Sequence, residues 1–216
     1  MSPQPLSKDE IAAALDDLPD WRARLGALHT AYRAPSADVA VELMHQLGQL
    51  ANELDHHPDL DWRYDYVFLK VSTHSAGRKV TPTDLEFARR ASELASRAGA
   101  QAHPEVAREL EIAVDSENVD AVRATWAAAL GYKEHGDDDL YDPWGRGPGV
   151  WFQRTDTPNP NRIHLDVWVE DADADAELAK AEAAGAERLD DHYRPSFTVI
   201  GDRQQNRFCV CTGLEP

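Results

Sequence analysis

The sequence predicts an α+β protein of two domains, an αββαββα unit followed by a pair of βαβββ units. Three observations lead there. Apolar residues recur at helical spacing through Ala40, Leu43, Met44, Leu47, Leu50, Ala51 and Leu54, between stretches rich in strand-forming residues. A break follows at residues 99–108, where Gly99 can end a helix and Pro104 cannot continue one. Beyond the break, one order of elements (strand, helix, three short strands) is read twice. The expected boundaries are 1–100 for the first domain, 101–108 for a linker and 109–216 for the second domain.

Each element has a local reason. Ser7 and Glu10 form a capping-box pattern ahead of Ile11, Ala14 and Leu15. Trp21 to Arg33 alternates weakly and predicts a hairpin turning at Gly26. Ser36 caps the long helix, whose apolar stripe needs a sheet to bury it. Tyr64 to Thr73 supplies strand residues, with Tyr66, Val67, Phe68, Leu69 and Val71. Thr81, Pro82 and Asp84 start a third helix, with proline in its first turn. In the second half, Leu110–Val114 reads as a strand and Val119–Leu130 as a helix ending at Gly131. Strands follow near Tyr132–His135, Leu140–Tyr141 and Gly149–Arg154. The order restarts with a strand at Ile163–Val169, a helix at Ala172–Ala184 ending at Gly185, and strands near Glu187–Leu189, Thr198–Ile200 and Arg207–Cys211. The two modules share order rather than residue identity.

The bulk numbers exclude several classes of function. A formal net charge of -17 argues against a nucleic-acid partner, because phosphate contacts need a basic face. The acidity is uneven: residues 1–100 hold about 11 basic and 15 acidic side chains, and the remainder about 11 and 24. A solubilising surface accounts for it. No apolar run is long enough to cross a bilayer, so no membrane partner is expected. Residues 1–9 lack the basic and apolar regions of a signal peptide. The expected location is the cytoplasm. Cys209 and Cys211 are the two cysteines, too close in sequence for an ordinary structural disulfide. Packing on one strand face accounts for them, and no role is assigned.

Chemistry in the first half centres on His56 and His57, after the long helix, and His74, after the strand. A helix end and a strand end can converge on one pocket mouth, and two imidazoles with pKa values near ~6.5 can serve as acid and base. Taken singly, each histidine reads equally as a structural or surface residue. Asp55 and Asp59 lie near enough to raise the question of a metal, but neighbouring side chains diverge and no helical His spacing is present. Asp84 has a plain role as a helix-capping residue.

The spacing adds to this. His56, His57 and Pro58 are followed by Tyr64, His74 and Asp84, with five, nine and nine residues intervening. Together with Leu18, Pro19, Asp20 and Trp21 and the Thr73–His74 pair, the pattern resembles the pterin-4a-carbinolamine dehydratases over residues 5–98. That resemblance implies loss of water from a 4a-hydroxytetrahydropterin to give a quinonoid dihydropterin, in tetrahydropterin recycling, with no cofactor and no metal. It implies an acid–base pair in His56 and His74, with the assignment open, and His57 as a residue that binds or orients the pterin. Asp55, Pro58, Tyr64 and Thr73 would contact substrate or shape its pocket, and Asp84 would fix the helix start and a histidine tautomer. It also implies a homo-oligomer, dimer or tetramer. Two features depart from the family pattern. Asn52 stands where an ionisable residue is usual, with Glu53 beside it, and the loop Ser75–Val80 is one residue longer and less rich in glycine. A non-catalytic module that binds a pterin or a protein is the rival reading.

The second half, with Leu130, Gly131 and Tyr132, the run from Arg162 to Asp166, and Asn206 to Cys209, resembles the glyoxalase-like members of the vicinal-oxygen-chelate superfamily over about residues 108–213. Strand alternation groups His164, Asp166 and Trp168 together on one strand, and likewise Arg207, Cys209 and Cys211 on theirs. The resemblance places Glu111 and His164 at ligand positions of that superfamily, and Arg207 where a glutamate ligand is usual. A guanidinium stays protonated and cannot ligate, so the expectation is an Arg207–Glu111 ion pair and no tightly bound metal. Glu111, His164, Asp166 and Arg207 are the candidate pocket of this domain. A further rival places the main activity here, on a small oxo compound.

Overall fold

The computed structural model describes residues 3–158, 161–204 and 206–214. The chain forms two compact units, Met1–Ala107 and Arg108–Pro216. The described residues carry five α-helices and thirteen strands in two sheets, an α+β architecture.

The first unit runs α1 (Lys8–Leu15), β1 (Arg22–Arg24), β2 (Ala27–Arg33), α2 (Ala37–Leu54), β3 (Asp59–Arg63), β4 (Tyr66–Val71), α3 (Pro82–Arg97) and β5 (Gln101–Ala102). Its caps follow from the sequence. Ser7 and Glu10 close a capping box on α1. The Ser36 side chain accepts from the Val39 amide at the start of α2. The sheet order is β1-β2-β4-β3, with β5 also on β2, and every pair is antiparallel. Val67, Leu69 and Val71 alternate inward along β4 and meet Leu43, Leu47 and Leu50 of α2 and Phe87, Ala88 and Ala91 of α3 in one core. Burying each Leu or Phe side chain contributes about 1.5–3 kcal/mol. Trp21 is anchored by its indole N–H to Ser92 Oγ, 3.0 Å away, and Ser92 Oγ also lies 2.8 Å from the Tyr32 hydroxyl.

Two turns in this unit matter for the site. Gly26, at φ +75°, makes the β1–β2 turn, and a Cβ there would lie 2.8 Å from the Arg78 carbonyl oxygen in the loop after His74. The residues expected as strand from Tyr64 instead begin with a turn: Tyr64 sits in the left-handed region at φ 56°, and β4 starts at Tyr66. Residues 101–108 are likewise not a bare linker. β5 pairs with β2, the His103 amide donates to the Ala31 carbonyl at 2.7 Å, and buried Arg24 donates to the Ala107 carbonyl.

The second unit runs β6 (Glu109–Ser116), α4 (Val119–Leu130), β7 (Lys133–His135), β8 (Asp139–Tyr141) and β9 (Gly149–Arg154). It then repeats the order as β10 (Ile163–Trp168), α5 (Asp171–Ala183), β11 (Glu187–Asp190), β12 (Phe197–Gly201) and β13 (Arg207–Cys211). The sheet order is β11-β12-β13-β10-β6-β9-β8-β7. In each module the first strand pairs in parallel with the fourth, β6 with β9 and β10 with β13, while β6 and β10 join the modules antiparallel. Each module also has its own small core between helix and sheet, one around Phe152 and Trp126, the other around Leu178 and Ile200.

Candidate functional site

The first site grows from two helix ends and a strand end. α2 stops at Asp55, in the left-handed region at φ 48°, and the His56 amide donates back to the Ala51 carbonyl at 2.9 Å. That turn directs His56 toward the first turn of α3. There His56 Nε2 lies 2.7 Å from Asp84 Oδ1. Asp84 is wholly buried. Its other oxygen, Oδ2, accepts from the Thr73 hydroxyl at 2.8 Å, the Thr81 amide at 2.7 Å and the Thr81 hydroxyl at 2.9 Å. A buried carboxylate is tolerated when its lone pairs are filled, and these four donors fill them. Because a carboxylate only accepts, His56 donates through Nε2–H, which leaves Nδ1 as the ring's other hydrogen-bonding atom. The edge of the His56 ring meets Phe87, with centroids 6.4 Å apart.

The remaining predicted residues divide. The Asp59–Lys70 pair closes one end of the β3–β4 ladder, so His56, His57 and Pro58 precede it at the end where Thr73 and His74 follow β4. His74 is exposed and opens a single 3-10 turn, His74–Ala76. His57 is exposed, and its Nε2 lies 3.0 Å from Asn52 Oδ1. Glu53 is not available to tune an imidazole: Arg90 holds it with two bonds of 2.9 and 2.7 Å, and that guanidinium keeps its pKa below the ordinary value. Tyr64, expected in the pocket wall, stands at the opposite end of the β3–β4 hairpin and is 78% exposed. Roughly 17 Å of strand, from Tyr66 to Val71, separates the two ends. Asp55 acts through its backbone, as the helix terminus.

The second site lies on one face of the eight-stranded sheet. Register sets it: Glu111 of β6 pairs with Asp166 of β10, and Asp166 pairs with Cys209 of β13. The next pairs along are Glu109 with Trp168 and Trp168 with Cys211. Glu111, Asp166, Trp168, Cys209 and Cys211, with His164, Trp151 and Arg207, line a cavity of about 600 Å³. The opposite face carries a groove of about 620 Å³ lined by Val167, Phe208, Val210 and Ile200, without an imidazole or thiol.

The predicted Arg207–Glu111 ion pair is absent among the described contacts. Glu111 Oε2 instead accepts from the Trp168 indole N–H at 3.0 Å, and Arg207 is exposed. Burial pushes the Glu111 carboxyl up to about 7, against the Trp168 bond, with Asp166, Asp139 and Glu109 adding repulsion. Asp166 Oδ2 accepts from the Trp151 indole at 2.7 Å, while Oδ1 faces His164 Nε2 at 3.6 Å. Burial works against a charged His164, but Cys209, Asp166 and Asp115 outweigh it and raise its pKa. The Cys211 thiol and His164 lower that of Cys209 against burial. At the ligand positions of the superfamily, Arg207 cannot ligate, and Glu111 has one carboxylate oxygen taken by Trp168. Reading from sequence gave Cys209 no role. Its signal is the pairing with Asp166, which crosses 43 positions of chain and is not visible locally.

Comparison with known proteins follows the same division. Residues 4–94 match the family described as pterin 4 alpha carbinolamine dehydratase, and residues 111–211 match the glyoxalase-like domain. A Streptomyces coelicolor protein named "Putative pterin-4-alpha-carbinolamine dehydratase" is 43% identical over 100 residues, 46% of this chain and 99% of that protein. A protein of the same name from Streptomyces avermitilis is 40% identical over the same shares of the two chains. Among solved structures, the transcriptional coactivator/pterin dehydratase from Brucella melitensis is 29% identical, with a TM-score of 0.41, and covers 43% of this chain and 99% of that one.

Proposed function

The chain belongs, through its first unit, to the pterin 4 alpha carbinolamine dehydratase family, and from that premise we propose that it dehydrates a 4a-hydroxytetrahydropterin to a quinonoid dihydropterin. The observation that carries the reading is the His56–Asp84 bond, because it gives one imidazole of the motif a fixed tautomer. In the reaction the C4a–O bond breaks, the hydroxyl leaves as water, and the N5 lone pair forms the C4a=N5 double bond as N5–H is lost. His56, donating to Asp84 through Nε2, takes the N5 proton on Nδ1. Exposed His74 protonates the departing hydroxyl. His57, tied to Asn52, orients the pterin, with Pro58 at the pocket edge. Each proton transfer by a positioned imidazole contributes typically ~10²–10⁴-fold.

The activity serves tetrahydropterin recycling, in the cytoplasm. No described helix is long and apolar enough to cross a membrane. The first unit associates as a dimer or tetramer: β3 is a sheet edge, and Leu60 and Trp62 on it are exposed.

The test is dehydration of a synthetic carbinolamine followed spectroscopically. The wild-type chain should accelerate it, and His56→Ala and His74→Ala should each remove most of that acceleration. Full activity in both variants refutes the assignment.

A further inference from the structure

We propose that the cavity of the second unit binds a divalent metal ion of borderline softness, zinc above all, on His164, Asp166 and Cys209. The sequence argued against a metal because Arg207 occupies a position that should carry a ligand. The fold supplies a different third donor. Asp166 and Cys209 are partners across the parallel β10–β13 pair, and His164 lies two residues before Asp166 on the same face. One ligand atom from each of the three lies within 4.8 Å of the other two.

The spacing of His164 and Asp166 suits a shared ion better than a direct bond. His164 Nε2 and Asp166 Oδ1 are 3.6 Å apart, too far for a hydrogen bond. That spacing is close to the ligand–ligand edge of a tetrahedral site with bonds of about 2.0–2.3 Å. The Trp151 indole holds Asp166 Oδ2 at 2.7 Å and so leaves Oδ1 turned toward His164, as an outer-shell partner orients a ligating carboxylate. The edge of the Trp151 ring also meets the His164 ring at 90°. Charge is matched: a neutral imidazole, a carboxylate and a thiolate together carry the two negative charges a divalent ion neutralises. The sulfur selects zinc or cobalt over magnesium, calcium or manganese. Three protein ligands leave a fourth position for an outside ligand, and Trp168 and Phe197 line the same cavity as the three donors. An open position is the form that lets an ion bind water or a small ligand. Cys211, partner of Trp168 one step along, stands outside the set.

The full chain, freed of metal with a chelator, is titrated with Zn(II) by calorimetry and with Co(II) by absorbance. One ion per chain is expected, with release of the thiol proton. Cobalt should give a thiolate-to-metal charge-transfer band in the near ultraviolet. Cys209 and Cys211 are the only two cysteines, so that band reports on this cavity alone. Cys209→Ser should abolish the band, and His164→Ala should weaken zinc by at least about tenfold. Cys211→Ser should keep both, with far-ultraviolet circular dichroism showing each variant folded. The proposal is overturned if the wild-type chain binds no zinc at micromolar concentration, if its cobalt complex lacks the sulfur band, or if Cys209→Ser binds like wild type. The wild-type cobalt spectrum decides even where a variant does not fold.

Discussion

His56 Nε2 and Asp84 Oδ1 lie 2.7 Å apart, and the same carboxylate takes the Thr81 amide at the head of α3. One buried group therefore serves the helix start and the imidazole together. Asp84→Asn keeps the shape but puts an amide where three donors meet one oxygen. Turnover of the carbinolamine should fall about 10²-fold. Stability should fall by about 1–3 kcal/mol, from the weakened cap and the partners left unmatched. Chemical denaturation and the spectroscopic assay read the two effects separately. An Asp84→Asn protein as active as wild type would remove Asp84 from the mechanism.

Asn52 accepts from His57 through a neutral amide oxygen, 3.0 Å from Nε2. Asn52→Asp keeps the bond and adds an anion, which favours the protonated imidazole. Because His57 orients the pterin and moves no proton, both pH limbs of kcat/KM should stay in place, while Asn52→Ala, which drops the bond, should raise KM. A pH limb displaced in Asn52→Asp would give His57 a proton-transfer role and overturn the orienting one.

Gly26 is required twice, by φ +75° and by the Arg78 carbonyl 2.8 Å from where a Cβ would be. Gly26→Ala meets both obstacles. The left-handed backbone alone costs about 1–2 kcal/mol, and the contact adds displacement of the loop that follows His74. The melting temperature of the first unit should drop, and the rate should fall although no reacting group changes. A variant with wild-type stability and rate would show that the loop gives way without cost.

Glu111 gives the metal-free second unit a pH-dependent stability. Its folded value of about 7 lies above the ordinary 4.5. Between those values the folded form holds a proton that the unfolded form has lost. Stability therefore falls as pH rises from about 4.5 to about 7 and stays low above that. Glu111→Gln removes the penalty and keeps an acceptor for the Trp168 indole. With allowance for partial exposure, the variant should be more stable than wild type by about 2 kcal/mol at pH 8 and nearly equal to it at pH 4. Thermal melts at the two pH values check this. A difference that is the same at both would exclude Glu111 as its source.

What the sequence discloses is what short-range chemistry decides. Ser7, Ser36, Thr81, Gly131 and Gly185 mark helix ends because caps and left-handed stops act over three or four residues. α4 matches its expected span of Val119–Leu130. β3 alternates Leu60 and Trp62 with Asp59, Asp61 and Arg63, but five residues between His56–Pro58 and a turn are too short a pattern to place a strand, and both apolar side chains lie exposed on a sheet edge. Tyr64 reads as strand by propensity, but the hairpin needs a left-handed residue there. β5 owes its two residues to pairing with β2, far back in the chain. In the sites, the family spacing points to Asp84 beside a histidine, while the choice of His56 rests on how α2 ends and where α3 begins. The engagement of Glu111 by Trp168 and of Asp166 by Trp151, and the meeting of Asp166 with Cys209, depend on cross-strand register, which one strand's sequence does not state.

The double duty of Asp84 bears on how descendants of such a chain would diverge. A lineage that gave up turnover and kept only the scaffold would still need the residue to begin α3, so its persistence is no record of catalysis. The exposed rings at positions 57 and 74, which carry little of the architecture, would be the first to drift. A copy that keeps the aspartate and has lost those imidazoles has retired from chemistry without unfolding.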